Sequence, residues 1–111
     1  MQDVPPLPTG SLWQGVEPGA FGSRVGKVAV PTSLAGLQSF ILDGWPSDGW
    51  TMGRGESERG LEVEQKANRG DIYVSFRGLN VYCDHGWSVA YLHVTDLAAC
   101  RASGVECAVS G

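Results

Sequence analysis

Cys83, Asp84 and His85 are consecutive and bring a thiol, a carboxylate and an imidazole into one short stretch. Nucleophilic catalysis by such a set needs the thiol within hydrogen-bond reach of an imidazole that a third group orients. On a strand, Cys83 and His85 would share a face with Asp84 opposite. Asp84-His85-Gly86, however, reads as a turn before an apolar run, so no catalytic residue is assigned. His93 is the only other histidine, and none of the spacings among Cys83, Cys100 and Cys107 gives the Cys-x-x-Cys pair of a zinc site. No metal and no cofactor is expected.

The acidic run Glu56, Glu58, Glu62, Glu64 lacks the Asp-x-Asp-x-Asp-Gly spacing of a calcium loop and reads as a solvated hairpin. Gly53-Arg54-Gly55 is followed by no Gly-Lys-Ser/Thr and is no phosphate loop. Arg69-Gly70-Asp71 spells an integrin-binding tripeptide at an expected hairpin tip, where Gly-Asp also suits a turn. Cys100 and Cys107 are expected either to be buried free thiols or to close a disulfide around the five residues between them, with Cys83 left over or as the alternative partner.

Tryptophan is abundant, with 4 copies in 111 residues. Trp13, Trp45, Trp50 and Trp87, together with Phe21, are the candidate binding residues, because large aromatic side chains supply most of the energy at contact surfaces. For Trp45 and Trp50 the plainer reading is that they cover the open end of a helix–sheet core. Trp13 reads as the freest of the four.

These residues must be positioned by a small scaffold. A chain of this length supports one hydrophobic core, and its 42% hydrophobic and 18% charged content excludes disorder for its body. The 16 glycines fall between short apolar runs without a collagen-like period, which indicates many tight turns. Net charge is −4, and Lys27, Lys66 and six scattered arginines form no basic cluster, so no nucleic-acid partner is expected. No stretch has the apolar length of a transmembrane segment, and residues 1–8 lack the basic and apolar regions of a signal peptide.

Residues 1–22 hold Pro5, Pro6, Pro8 and Pro18 and are expected to be an extended arm that binds another protein or tacks onto the domain through Leu12, Trp13, Val16 or Phe21. Residues 4–9 also suit a tether between an anchor and its domain. Residues 23–111 are expected to be a single α+β domain. Within it, residues 24–30 read as a short strand bounded by Pro31. Thr32 or Ser33 caps a helix whose apolar face is Leu34, Leu37, Phe40, Ile41 and Trp45, with Asp43-Gly44 as its stop and Pro46 forbidding continuation.

Beyond the doubled Asp-Gly-Trp (residues 43–45 and 48–50) the apolar period becomes two. A strand begins at Trp50 and meets a charged turn at residues 55–60. Residues 61–67 alternate Leu61, Val63, Gln65 and Ala67 with charged side chains. Asn68-Arg69-Gly70 turns the chain into a strand with Ile72, Val74 and Phe76 inward. Residues 87–94 are apolar on both faces and predict a central strand. Thr95 or Asp96 then caps a short helix over residues 97–102, ended by Gly104. The expected fold is one short helix packed on an antiparallel meander of about four strands, with a short C-terminal helix.

Residues 33–95 resemble small extracytoplasmic domains of actinobacterial lipoproteins and anchored proteins, in which a helix is followed by a short Pro- and Gly-Trp-containing turn and an antiparallel meander. The stretches that carry this are Phe40-Ile41-Leu42, Pro46-Ser47-Asp48-Gly49-Trp50-Thr51, Leu61-Glu62-Val63, Asp71-Ile72-Tyr73-Val74 and Val89-Ala90-Tyr91-Leu92. The resemblance implies a fold and an extracytoplasmic address, and no catalytic residues. The expectation is a non-enzymatic binding or structural domain, an accessory subunit of an extracytoplasmic assembly. The alternative is a small enzyme or ligand-binding domain with a pocket near Cys83, His85 and Trp87.

Overall fold

The computed structural model describes residues 4–19, 22–58, 61–80 and 86–104. The chain begins with β1 (Leu12–Pro18) and β2 (Ser23–Val30), passes through helix α1 (Leu34–Ser47), continues as β3 (Thr51–Glu58), β4 (Glu62–Arg69), β5 (Ile72–Leu79) and β6 (Ser88–Asp96), and closes with α2 (Leu97–Ala102). The strands form one antiparallel sheet in the order β1-β2-β6-β5-β4-β3. α1 therefore carries the chain from the β1–β2 hairpin to the far edge, and the meander returns until β6 fills the centre between β5 and β2.

The sheet has six strands rather than about four. β3 uses residues 55–58, which the sequence suggested as a turn, and β1 lies in the stretch expected to be an extended arm. There the proline and glycine content masks a short alternation. Pro18 sits at the end of an edge strand, where its missing N–H costs little pairing. The segment ahead of β1 is docked as well. Pro5 is fully buried, Val4 and Leu7 pack against the core, and Trp45 Nε1–H donates to the Pro6 carbonyl at 2.9 Å.

Ser33 is the N-cap of α1, its hydroxyl accepting from the Gly36 N–H at 3.2 Å. Leu34, Leu37, Ile41 and Trp45 make the buried stripe, which packs over β3, β4 and β5. The helix does not stop at Asp43-Gly44; it runs through Pro46, whose lost bond falls on Leu42, an exposed residue of the last turns where water can serve the carbonyl. The stop is the second Asp-Gly. Gly49 has φ +86°, its N–H bonds the Pro46 carbonyl and the Trp50 N–H bonds the Trp45 carbonyl, each at 3.1 Å. This pair of bonds is a Schellman closure, and the two tryptophans are its accompanying apolar pair.

Inward-facing Val28, Val30, Val63, Ala67, Val74, Phe76, Ala90, Leu92 and Val94 complete the core with the helix stripe. Trp45 meets Phe76 edge-on, centroids 5.5 Å apart. Gly78 faces α1 and admits it closely, since a Cβ there would sit 2.9 Å from Leu37 Cδ2. The turn expected at residues 68–70 falls at Gly70 and Asp71 instead, because Asn68 and Arg69 still pair with Tyr73 and Ile72; Gly70, at φ 59°, joins β4 to β5. Asp96 caps α2 through the Ala99 N–H at 3.1 Å, and Gly104 follows it at φ 81°.

Candidate functional site

Both helix-side elements, α1 and the docked segment before β1, cover one face of the sheet. The opposite face is lined by the alternate residues of every strand. Gly15, Lys27, Tyr91, Arg77, Glu64 and Glu56 follow one another across its six strands in a single row of cross-strand partners. A neighbouring row runs Glu17, Val25, His93, Ser75, Lys66.

The two halves of this face differ in chemistry. On β3–β5 an open groove of about 390 Å3 is lined by Arg54, Glu56, Glu64, Lys66, Ser75 and Arg77, among others. Its like-charged cross-strand neighbours Glu56 and Glu64 are offset by arginines. Arg54 Nη2 lies 2.8 Å from Glu56 Oε1, and Arg77 lies 2.9 Å from Glu62 Oε2 through Nη2 and 3.6 Å from Glu64 Oε1 through Nε. These side chains are largely exposed, so each pair contributes at most about 1 kcal/mol. Their chemical effect is to leave a neutralised, hydrated surface.

On β1, β2 and β6 the surface is more apolar. Among the described residues, three of the six exposed large apolar side chains lie on this face of the three strands: Leu12 (59% exposed), Val25 (38%) and Tyr91 (40%). Val25 and Tyr91 are diagonal neighbours on the helix-free face, because Val25 pairs with His93 and Lys27 with Tyr91. With Gln14, Gly15, Glu17 and Lys27 they line a hollow of about 260 Å3. One aromatic ring and one branched aliphatic side chain, edged by a cation, a carboxylate and an amide, make this hollow the more apolar of the two on this face.

The residues singled out in the sequence are placed elsewhere. Trp45 (0% exposed) and Trp50 (3%) are core residues, so neither offers an open ring face for a sugar or a partner. Trp13 is half-buried and packed against the core from β1, on the helix side through its pairing with Val28. Trp87 is half-buried just ahead of β6. Phe21, Cys83, Asp84, His85 and Cys107 lie outside the described residues, and so does the pocket expected around Cys83 and His85. Cys100 is buried and disulfide-bonded; the pairing with Cys107 stays an expectation. Among the described residues no three His, Cys, Asp or Glu side chains converge as a metal-holding group.

Arg69-Gly70-Asp71 is engaged within the fold. Arg69 Nη1 bonds Asp48 Oδ2 at 3.0 Å and its guanidinium carbon lies 4.8 Å from the Trp50 ring centroid, while Asp71 Oδ1 takes Arg101 Nη1 at 3.4 Å. Both charged side chains of the tripeptide therefore have structural partners.

Sequence reasoning passed over Tyr91, Val25 and Lys27. Residues 87–94 are apolar on both faces, which indicates a central strand, as β6 is. The signal of exposure was the placing of the two residues with polar tips, Tyr91 and His93, on one side of that strand. Among the described residues no helix is long and apolar enough to cross a membrane. Compared with known protein families, with curated proteins and with solved structures, the chain matches none.

Proposed function

We propose that this chain is a non-enzymatic protein-binding domain, an accessory subunit of an extracytoplasmic or membrane-associated assembly, and that it meets its partner through the hollow around Tyr91 on β1, β2 and β6. The observation that carries the reading is the hollow itself: Tyr91 and Val25, exposed side by side on the sheet face opposite α1, within an edge of Lys27, Glu17 and Gln14. An aromatic anchor inside a polar rim is the anatomy of a protein contact, where a few such residues supply most of the energy. The fully buried tryptophans and the internally paired charges of the β3–β5 half favour this end of the face over the other. The Cys100 disulfide supports an oxidising, extracytoplasmic setting.

The test is co-purification of the tagged chain from its native source with quantitation of bound proteins. A stoichiometric partner should be retained by the wild type and by Glu56→Ala, and reduced about tenfold or more by Tyr91→Ala or Lys27→Glu. Recovery of the chain without any stoichiometric partner, or capture indifferent to Tyr91, would overturn the proposal.

A further inference from the structure

The two edges of the sheet are built differently. β3 carries Arg54, Glu56 and Glu58 and a register irregularity between Met52 and Gly55, where Gln65 reaches across to the Gly53 carbonyl at 3.2 Å. Charges and bulges on an edge discourage a further strand. β1 carries Glu17 as its one charge, exposes Leu12 and Val16, and has no strand on its outer side among the described residues.

β1 also has a bulge, and its position gives the strand an unusual symmetry. Trp13 pairs with Val28 and Val16 with Gly26, so both face α1, whereas Leu12 pairs with Ala29 and Glu17 with Val25, so both face away. In a regular strand Trp13 and Val16, three residues apart, would point to opposite faces. The shift between Trp13 and Gly15 lets Gln14 and Gly15 together oppose Lys27, so they fill one position. Read from either end, the strand then alternates in the same way about that position: out, in, bulge, in, out.

We propose that β1 pairs antiparallel with β1 of a second copy of this chain, about a two-fold axis through the Gln14-Gly15 bulge. In this register Trp13 of each copy lies opposite Val16 of the other on the helix side, and Leu12 lies opposite Glu17 on the helix-free side. Every facing pair shares a face, two aromatic–aliphatic pairs form, and no like charges meet. Pro18 falls at the end of the ladder, where its missing N–H interrupts nothing. The same patch serves both copies, as a closed two-fold contact requires. A single pair of short strands buries little area, so the dimer belongs to the weak class of interfaces and forms at high protein concentration.

Sedimentation equilibrium of the full chain from micromolar to millimolar concentration tests this, with non-reducing electrophoresis identifying any covalent dimer. The wild type should be a reversible, non-covalent monomer–dimer system. Val16→Lys should weaken it about tenfold or more, because a cation replaces the aliphatic partner of Trp13 in both symmetric pairs. Leu12→Lys should dimerise at least as well as the wild type, since the new lysine faces Glu17, and Leu12→Lys combined with Glu17→Lys should abolish the dimer. Should Val16→Lys fail to fold by circular dichroism, the two Leu12 variants decide alone. A wild type monomeric throughout, a purely covalent dimer, or equal weakening by Leu12→Lys and by the double variant would overturn the proposal. Because Val16 faces α1 and Tyr91 faces away, Val16→Lys should leave capture of a Tyr91-dependent partner intact, so loss of one contact does not read as loss of the other.

Discussion

Asp48 joins three parts of the molecule through one side chain. It is the C-cap of α1, its Oδ2 accepts from Trp50 Nε1–H at 3.2 Å, and the same oxygen takes Arg69 Nη1 at 3.0 Å from the end of β4. Asp48→Ala leaves the indole donor of a nearly buried tryptophan without its acceptor and should cost about 1–2 kcal/mol in denaturant unfolding. Arg69→Ala should cost less, and the double variant less than the two together, because Asp48 and Arg69 share one network. Gly49 next to it is a separate matter. At φ +86° any Cβ is strained, and Gly49→Ala should lose about 1–2 kcal/mol with the helix stripe untouched. Equal stability of Gly49→Ala and the wild type would show that the Schellman closure does not require glycine here.

At the scale of elements, the contact between α1 and β5 is limited by Gly78. Gly78→Ala should destabilise by about 1–3 kcal/mol in thermal or denaturant unfolding, as the new methyl would force the fully buried Leu37 side chain to shift. The docking of the N-terminal segment has its own check. Trp45→Phe keeps the edge-on ring against Phe76 but removes the donor to the Pro6 carbonyl, so amide exchange in residues 7–11 should accelerate more than in β4 or β5. The hairpin β4–β5, the two cap sites to within one residue (Thr32 or Ser33, Thr95 or Asp96), and the C-terminal helix were legible in the sequence because each rests on local chemistry: alternation, a turn glycine, a hydroxyl or carboxylate at the cap. The α1 stop was misplaced because two Asp-Gly pairs stand within six residues, and the choice between them is made by Trp45 and Trp50, which must both reach the core. β1 was hidden for a related reason. The prolines and glycines around it look like a linker, and only pairing with β2 makes it a strand. The hollow at Tyr91 is assembled from β1, β2 and β6, so no local pattern could announce it.

On the scale of the whole molecule, the buried Cys100 of the last helix is disulfide-bonded. Cys100→Ser should lower stability by about 2–4 kcal/mol, checked by thermal unfolding with and without reductant. If reductant leaves the wild-type transition unmoved, the bond contributes no stability. The unequal faces of the sheet give the molecule a direction: core, α1 and the docked N-terminal segment on one side, and on the other a face exposed around Tyr91 and buried at Ala29 and Val89.

The strand order has a consequence for how this protein comes into being. Among the described residues β6 is the last strand in the sequence and lies inside the sheet, its residues pairing with both Arg24 of β2 and Phe76 of β5, among others. Until it arrives, β2 and β5 lack the strand that both pair with in the finished sheet. Such distant pairing makes folding slow compared with helical domains of this size. It also means that the six-stranded sheet cannot close until the sequence from Ser88 to Asp96 is available. A chain ending before Ser88 should show no cooperative unfolding transition, and addition of that one strand should restore it.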